Sequence, residues 1–281
     1  MGASIMTRLL KNVIRYGLLT LGALVMLLPF AWMIVTSLQS PTAVFAIPHT
    51  WFPSSLQWGN FSKAWHAAPF ARYCFNSILV TFITTLGQLF TSILAAFTFT
   101  HLHFCGRRTL FAGLIALMMV PGELLLIPNF VTLSRLHWID TYAALIVPWL
   151  ASIFTMFALR QAFHAQPRSI YYAARLDGAS DWQYLWHILV PASRTTITAV
   201  AILQIIASWN SFMWPLIVTN SDRLRTLPVG LTSFTSEAGT NYPLLMAATI
   251  FVIVPLLILY LGLQKYIVAG ITQASAKGSS L

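Results

Sequence analysis
The chain has 281 residues, of which 58% are hydrophobic, 14% aromatic and only 8% charged. A water-soluble domain carries roughly 25% charged residues, so this composition excludes one and implies an integral membrane protein. Lys and Arg number 16 against 6 acidic residues, for a net charge of +10; they stand singly at the ends of apolar runs, with no basic face interleaved with aromatics, which favours membrane topology over a nucleic-acid partner.

In chain order, apolar runs near residues 16–38, 75–101, 110–131, 143–163, 196–219 and 244–263 approach or exceed the roughly 20 residues that a helix needs to cross the hydrocarbon layer. The expected fold class is therefore an all-α integral membrane protein with six transmembrane helices. The first run follows basic residues but is too long for a signal-peptide core, so it is expected to remain as a span. Neither an internal repeat nor a low-complexity linker interrupts residues 1–281, which reads as one domain. With the termini inside, the cytoplasmic segments hold eleven basic residues: Arg8, Lys11, Arg15, Arg107, Arg108, Arg160, Arg168, Arg175, Arg194, Lys265 and Lys277. The outer segments hold five, Lys63, Arg72, Arg135, Arg223 and Arg225. Basic residues are retained on the cytoplasmic side during insertion, so both termini are expected there.

Between the first two spans, Pro41, Pro48 and Pro53 discourage long helices while Trp51, Trp58 and Trp65 favour the interface. The second span opens on Phe75-Asn76-Ser77, and Cys74 and Cys105 at its opposite ends lie roughly 45 Å apart on a continuous helix, too far for a disulfide. The third carries Val120-Pro121-Gly122-Glu123 and Ile127-Pro128, prolines expected to bend or break it. Glu123 is the one acid that falls within a span. It lines a solute path, or the Pro-Gly break places it at an aqueous cavity or a helix-end hydrogen bond; both readings stand.

After the fourth span comes a polar, turn-rich stretch, 165–190. Pro167 and Ser169 can open a short helix that Asp177-Gly178 stops, because glycine tolerates the left-handed conformation at a helix end. Ser180 with Gln183 has capping-box spacing, and Trp182, Leu185, Ile188 and Leu189 recur on one face of a second helix before Pro191 opens the next run. The fifth span contains Trp209-Asn210 and Trp214-Pro215. Rings plus an amide suit a carbohydrate, and equally suit packing between helices, which the abundance of such residues in bundles favours.

Other chemistries lack their residues. No Gly-x-x-x-x-Gly-Lys-[Ser/Thr] occurs, so the chain has no phosphate-cradling loop for ATP hydrolysis. His101 and His103 have no Cys, Asp or Glu at ligand spacing, so no metal site is expected. Ser, His and Asp form no nucleophile motif.

The run Tyr172-Ala173-Ala174-Arg175-Leu176-Asp177-Gly178-Ala179-Ser180, closed by Val190-Pro191, resembles the Glu-Ala-Ala…Gly loop of the permease subunits of bacterial ATP-binding-cassette importers, in the form used by the carbohydrate-uptake branch. The same branch is matched by Asn76-Ser77, Asp140-Thr141-Tyr142, Leu227-Pro228-Val229-Gly230 and the closing Gly270-Ile271-Thr272 with Lys277-Gly278, so the likeness runs from about residue 20 to 278, and the chain is similar to the maltose-transporter-type second permease subunit. The sequence departs at Tyr172, where the family has Glu.

The resemblance implies a single transmembrane permease domain in the bacterial cytoplasmic membrane, importing a sugar, oligosaccharide or glycerophosphate-type solute and not itself an enzyme. Its implied partners are a second, non-identical permease subunit, two copies of a cytoplasmic ATPase that hold the ATP and Mg, and an extracytoplasmic solute-binding protein. Tyr172, Ala173, Ala174, Arg175, Asp177, Gly178, Ala179, Ser180 and Trp182 would couple to the ATPase, and the tail 270–277 would reach between its two copies. Glu123, Trp209, Asn210 and Trp214 are candidates for the solute path. The rival is an ion-coupled secondary transporter of a small polar solute, which would use buried carboxylates or broken-helix ion sites and no ATPase.

Overall fold
The computed structural model describes the backbone of residues 2–47, 55–236 and 239–278, with side chains for residues 11–47, 55–236, 239–262 and 264. Pro48, Trp51 and Pro53 lie outside the described residues, as do the side chains of Arg8, Lys265, Lys277 and the tail 270–277. The main helices in chain order are α1 (Gly2–Ser37), α2 (Gly59–His66), α3 (Phe70–His101), α4 (Arg107–Leu117), α5 (Leu126–Arg135), α6 (Tyr142–Ile146), α7 (Ile153–His164), α8 (Arg168–Leu176), α9 (Asp181–Tyr184), α10 (Arg194–Trp209), α11 (Met213–Val218) and α12 (Tyr242–Gly278), with further short turns at Pro41–Val44, Val190–Ala192 and Leu227–Gly230.

Among the described residues, three segments are long and apolar enough to cross a membrane without interruption: Lys11–Ser37, Phe70–His101 and Tyr242–Gly262. Three further pairs of helices are bent, and counting each as one span brings the total to six. The third span turns by 94° between α4 and Gly122–Arg135. Pro121 accounts for the break, since it has no N–H and forces the residue before it out of the α region. Pro128 was expected to disturb the helix too, but it lies in the first turn of α5, where an N–H has no intrahelical partner to lose.

The fourth and fifth spans, each read from the sequence as one apolar run, are also interrupted. Tyr142–Trp149 meets α7 at 40°: Pro148 starts a 3-10 turn, and the Ser152 side chain then caps α7 by accepting from the Thr155 N–H at 3.2 Å. The third bent pair, Asp181–Ala192 with α10, turns by 79°. Beyond it, Asn210 ends α10 and α11 starts afresh at Met213.

The chain forms two compact units, residues 1–68 with 231–254 and residues 69–230 with 255–281. In the first, α1 is apolar and exposed over residues 16–31, as in a helix facing lipid. Asn60 on α2 is buried and donates from Nδ2 to the Ser37 and Gln39 carbonyls, both at 2.9 Å, satisfying groups that the end of α1 leaves open. The ring of Phe251 packs against Phe61 and Trp65.

The second unit is organised around α3, which is turned inside out relative to a helix in water. Asn76, Ser77, Thr81, Thr84, Thr85, Gln88 and Ser92 are buried, while Phe75, Ile78, Phe82, Leu86 and Phe90 are exposed. In a membrane the solvent is hydrocarbon, so polar side chains turn toward the bundle. α3 packs on α7 and α10. Gly87 lets the Leu150 side chain approach so closely that a Cβ there would lie 2.3 Å from Leu150 Cδ2.

Candidate functional site
At its N-terminal end, α3 is clasped by residues distant in sequence. The buried Asn76 donates from Nδ2 to the carbonyls of Arg223 (2.9 Å) and Arg225 (2.8 Å) and accepts from the Tyr142 hydroxyl at 2.7 Å. Tyr73 donates to Asp222 at 3.0 Å, and the Ser77 hydroxyl accepts from the Leu227 N–H at 2.7 Å. Asp140 closes the arrangement by accepting from the backbone N–H groups of Asn220 and Ser221 and from the Ser221 hydroxyl. Burial opposes its charge, but these bonds outweigh that and hold its carboxyl below the ordinary value. Three sequence landmarks, at 76–77, 140–142 and 227–230, are thus parts of one structure.

Beneath this clasp lies a cavity of about 370 Å³ within the second unit. Thr81, Thr84 and Gln88 of α3 line it together with Ser152, Gln204, Ser208 and Thr226, and the rings of Trp149 and Trp214 complete the wall. Gln204 is held in place by donating to Thr155 Oγ1 at 2.6 Å and Ser152 Oγ at 3.3 Å. The two rings meet edge to face at 5.8 Å, and Trp214 is fixed by a 2.9 Å bond from Nε1 to the Ala144 carbonyl.

At the other end of α3, residues 168–192 form the expected helix-turn-helix. The end of α8 is a Schellman motif: Gly178 has φ 83°, its N–H reaches the Arg175 carbonyl at 3.2 Å, and the Ala179 N–H reaches the Ala174 carbonyl at 2.9 Å. Both bonds of the Ser180–Gln183 capping box are formed. Across the turn, Tyr171 donates to Asp181 Oδ1 at 2.9 Å, and Arg175 lies 3.4 Å from the same oxygen while donating to the Ala179 carbonyl. Burial, then the bond to Asp181, raises the Tyr171 pKa. The motif is seated by Ala174, Tyr184, Leu185 and Leu189, all buried, with the rings of Tyr171 and Tyr184 packed at an angle around His101.

Trp182 does not share that buried face as the sequence suggested. Tyr184 takes the inner position, and at about 100° per residue Trp182 then falls on the far side of the helix. It is 57% exposed, packed on Trp186. A widened π turn over Leu185–Leu189 follows. Ile170, Tyr172 and Leu176 are exposed with Trp182, Leu176 to 89%. This much apolar surface around a rigid turn is what a partner would cover.

Of the four solute-path candidates, Trp214 lines the cavity. Trp209 is buried elsewhere in the packing, Asn210 is exposed and bonds back to the Ile206 carbonyl at 3.0 Å, and Glu123 is exposed in the break of the third span. Sequence reasoning missed the α3 residues, although Ser77, Thr81, Thr84 and Gln88 recur at helical spacing as a polar stripe on an apolar span. His101 is enclosed by rings and His103 is exposed; among the described residues no three His, Cys, Asp or Glu side chains gather as metal ligands.

Broken apolar helices around a polar cavity, with a capped helix pair projecting at one end, define a multi-pass membrane transport subunit. The chain belongs to the family described as binding-protein-dependent transport system inner membrane component, which matches residues 88–273. It is 31% identical over 265 residues to the sn-glycerol-3-phosphate transport system permease protein UgpE of Yersinia enterocolitica, covering 92% of this chain and 94% of that protein. It is 34% identical over 227 residues to the arabinooligosaccharides transport system permease protein AraQ of Bacillus subtilis, covering 80% and 81%. A bacterial ABC transporter involved in the import of the acidic polysaccharide alginate shares the fold, with a TM-score of 0.80 and 22% identity over 92% of this chain and 96% of that one.

Proposed function
We propose that this chain is one permease subunit of an ATP-driven importer for a sugar, oligosaccharide or glycerophosphate-type solute, and that both compact units belong to one permease domain. The observation that carries the coupling role is the helix-turn-helix of residues 168–192: a Schellman turn and a capping box fix its angle, and Ile170, Tyr172, Leu176 and Trp182 stand exposed around it. Such a rigid apolar knob fits a cleft of a cytoplasmic ATPase, whose closure on ATP would move the helix pair and, through the buried Tyr184, Leu185 and Leu189, the inner end of α3. ATP and Mg belong to that ATPase, since the sequence holds no phosphate loop. A second permease subunit, two ATPase copies and an extracytoplasmic binding protein complete the assembly. The functions of the relatives support the solute class, and the description of the family supports the binding protein. Among the described residues, the cavity lining contains no carboxylate that could carry a coupling proton or cation.

The test is co-purification. The tagged chain is expected to bring down a second permease and an ATPase, and Ser180→Cys, with Cys74 and Cys105 replaced by Ala, is expected to be labelled only from the cytoplasm. Recovery of the chain without an ATPase, or labelling of Ser180→Cys from outside, would overturn the proposal.

A further inference from the structure
We infer that the cavity lined by Thr84, Gln88, Gln204, Ser208, Thr226 and Trp149 is a solute-binding site within this chain itself, and that it takes a neutral polyhydroxylated solute of the saccharide type while rejecting anions. The inference rests on the permease reading and narrows it. The volume, about 370 Å³, lies within the range of small-molecule sites. Thr84 and Thr226 are buried to within 3% and 4% exposure, and their hydroxyls have no protein partner; the Trp149 indole N–H has none either. Buried polar atoms are almost always satisfied, by protein, ordered water or ligand, so three such groups among the residues lining one cavity mark where a ligand, or the water that it displaces, bonds. The needs of these groups are mixed: the hydroxyls donate and accept, the indole only donates, and the neighbouring amides do both. A sugar hydroxyl, itself donor and acceptor, meets all of them. The rings of Trp149 and Trp214 add apolar faces for the C–H side of a pyranose or furanose.

Charge decides between solutes. None of the lining side chains is charged. A phosphate or uronate moved from water into this wall would lose its hydration with no cation to replace it, a strongly unfavourable exchange. A neutral polyol loses only hydrogen bonds that the wall restores. The clasp holding Asn76, Tyr142 and the 222–227 loop keeps this wall in place, because it fixes the N-terminal end of the helix that carries Thr81, Thr84 and Gln88.

The experiment uses the complete importer in nanodiscs, with Cys74 and Cys105 replaced by Ala and Ser208→Cys as reporter, labelled by an uncharged methanethiosulfonate reagent. Maltotriose, arabinotriose and raffinose are the neutral probes; glycerol 3-phosphate and trigalacturonate are the anionic ones. At least one neutral saccharide should slow labelling tenfold or more, and the anions should not. Adding Thr84→Val and Gln88→Leu should raise the protecting concentration about tenfold or more. Protection by an anion at the same or lower concentration, or none by any neutral saccharide, overturns the inference, and the reporter alone gives that answer should the double variant fold poorly. A complex that imports solute on ATP while its cavity goes unprotected refutes this site only; a chain that recruits no ATPase refutes the reading beneath it.

Discussion

Gly178→Val isolates the angle between the two projecting helices from every other property of the loop. Gly178 has φ 83°, and a Cβ added there meets nothing within 4 Å, so the substitution introduces no clash within this chain. What remains is backbone strain: holding a side-chain-bearing residue in the left-handed region costs about 1–3 kcal/mol, and a β-branched residue belongs at the upper end. At tenfold per 1.4 kcal/mol, the native turn should lose roughly 5- to 150-fold in population relative to turns that swing α8 away from α9. The bonds at stake are Gly178 N–H to Arg175 and Ala179 N–H to Ala174. Solute-stimulated ATP hydrolysis by the reconstituted importer reports the effect, and should fall by a comparable factor while the protein still inserts. Gly178→Asn should recover most of it, because Asn tolerates this conformation far better than Val. Full coupling in Gly178→Val, or equal loss in Gly178→Val and Gly178→Asn, would refute the lever argument.

Three further outcomes follow from other parts of the molecule. Tyr172 is 57% exposed, so Tyr172→Ala should leave thermal stability within about 0.5 kcal/mol, yet weaken ATPase association measured by pull-down by roughly 0.5–2 kcal/mol if the ring stacks on a cation of the partner. Gly230→Ala would place a Cβ 2.4 Å from Tyr73 Cδ2, on a buried ring tied to Asp222; a cost of about 1–3 kcal/mol should appear as a lower melting midpoint in detergent. Asp140 has a folded pKa below its ordinary 3.8, so its contribution is complete above pH 3.8 and disappears as pH falls through the folded value; melting curves from pH 3 to 7 should show an acid-side loss that Asp140→Asn reduces.

The projecting loop was legible because its determinants are local. A capping box and a glycine stop depend on residues within a few positions of each other, and the chain supplies Ser180, Gln183 and Gly178 at the right offsets. The family motif, the spans and the break at Pro121 were readable for the same reason. What escaped is non-local or quantitative. Hydropathy runs unbroken through Pro148 and Asn210, so the fourth and fifth spans read as continuous although Pro148 starts a 3-10 turn and Asn210 ends α10. The cavity is assembled from α3, the break before α7 and residues 204–226, and no window of sequence contains all three. Glu123 and Asn210 were chosen for their chemistry, but neither lines the cavity; Trp214 does because the Ala144 carbonyl fixes its ring.

The central claim is that ATP hydrolysed by a partner, and no ion gradient, drives solute through this chain. Proteoliposomes carrying the complete importer, loaded on the ATPase side with ATP and Mg and supplied with solute-loaded binding protein, test it directly when a protonophore and sodium-free buffer remove every ion gradient. Uptake should continue undiminished under those conditions and stop when ATP is replaced by a non-hydrolysable analogue. Uptake that collapses with the gradients and ignores ATP would contradict the claim.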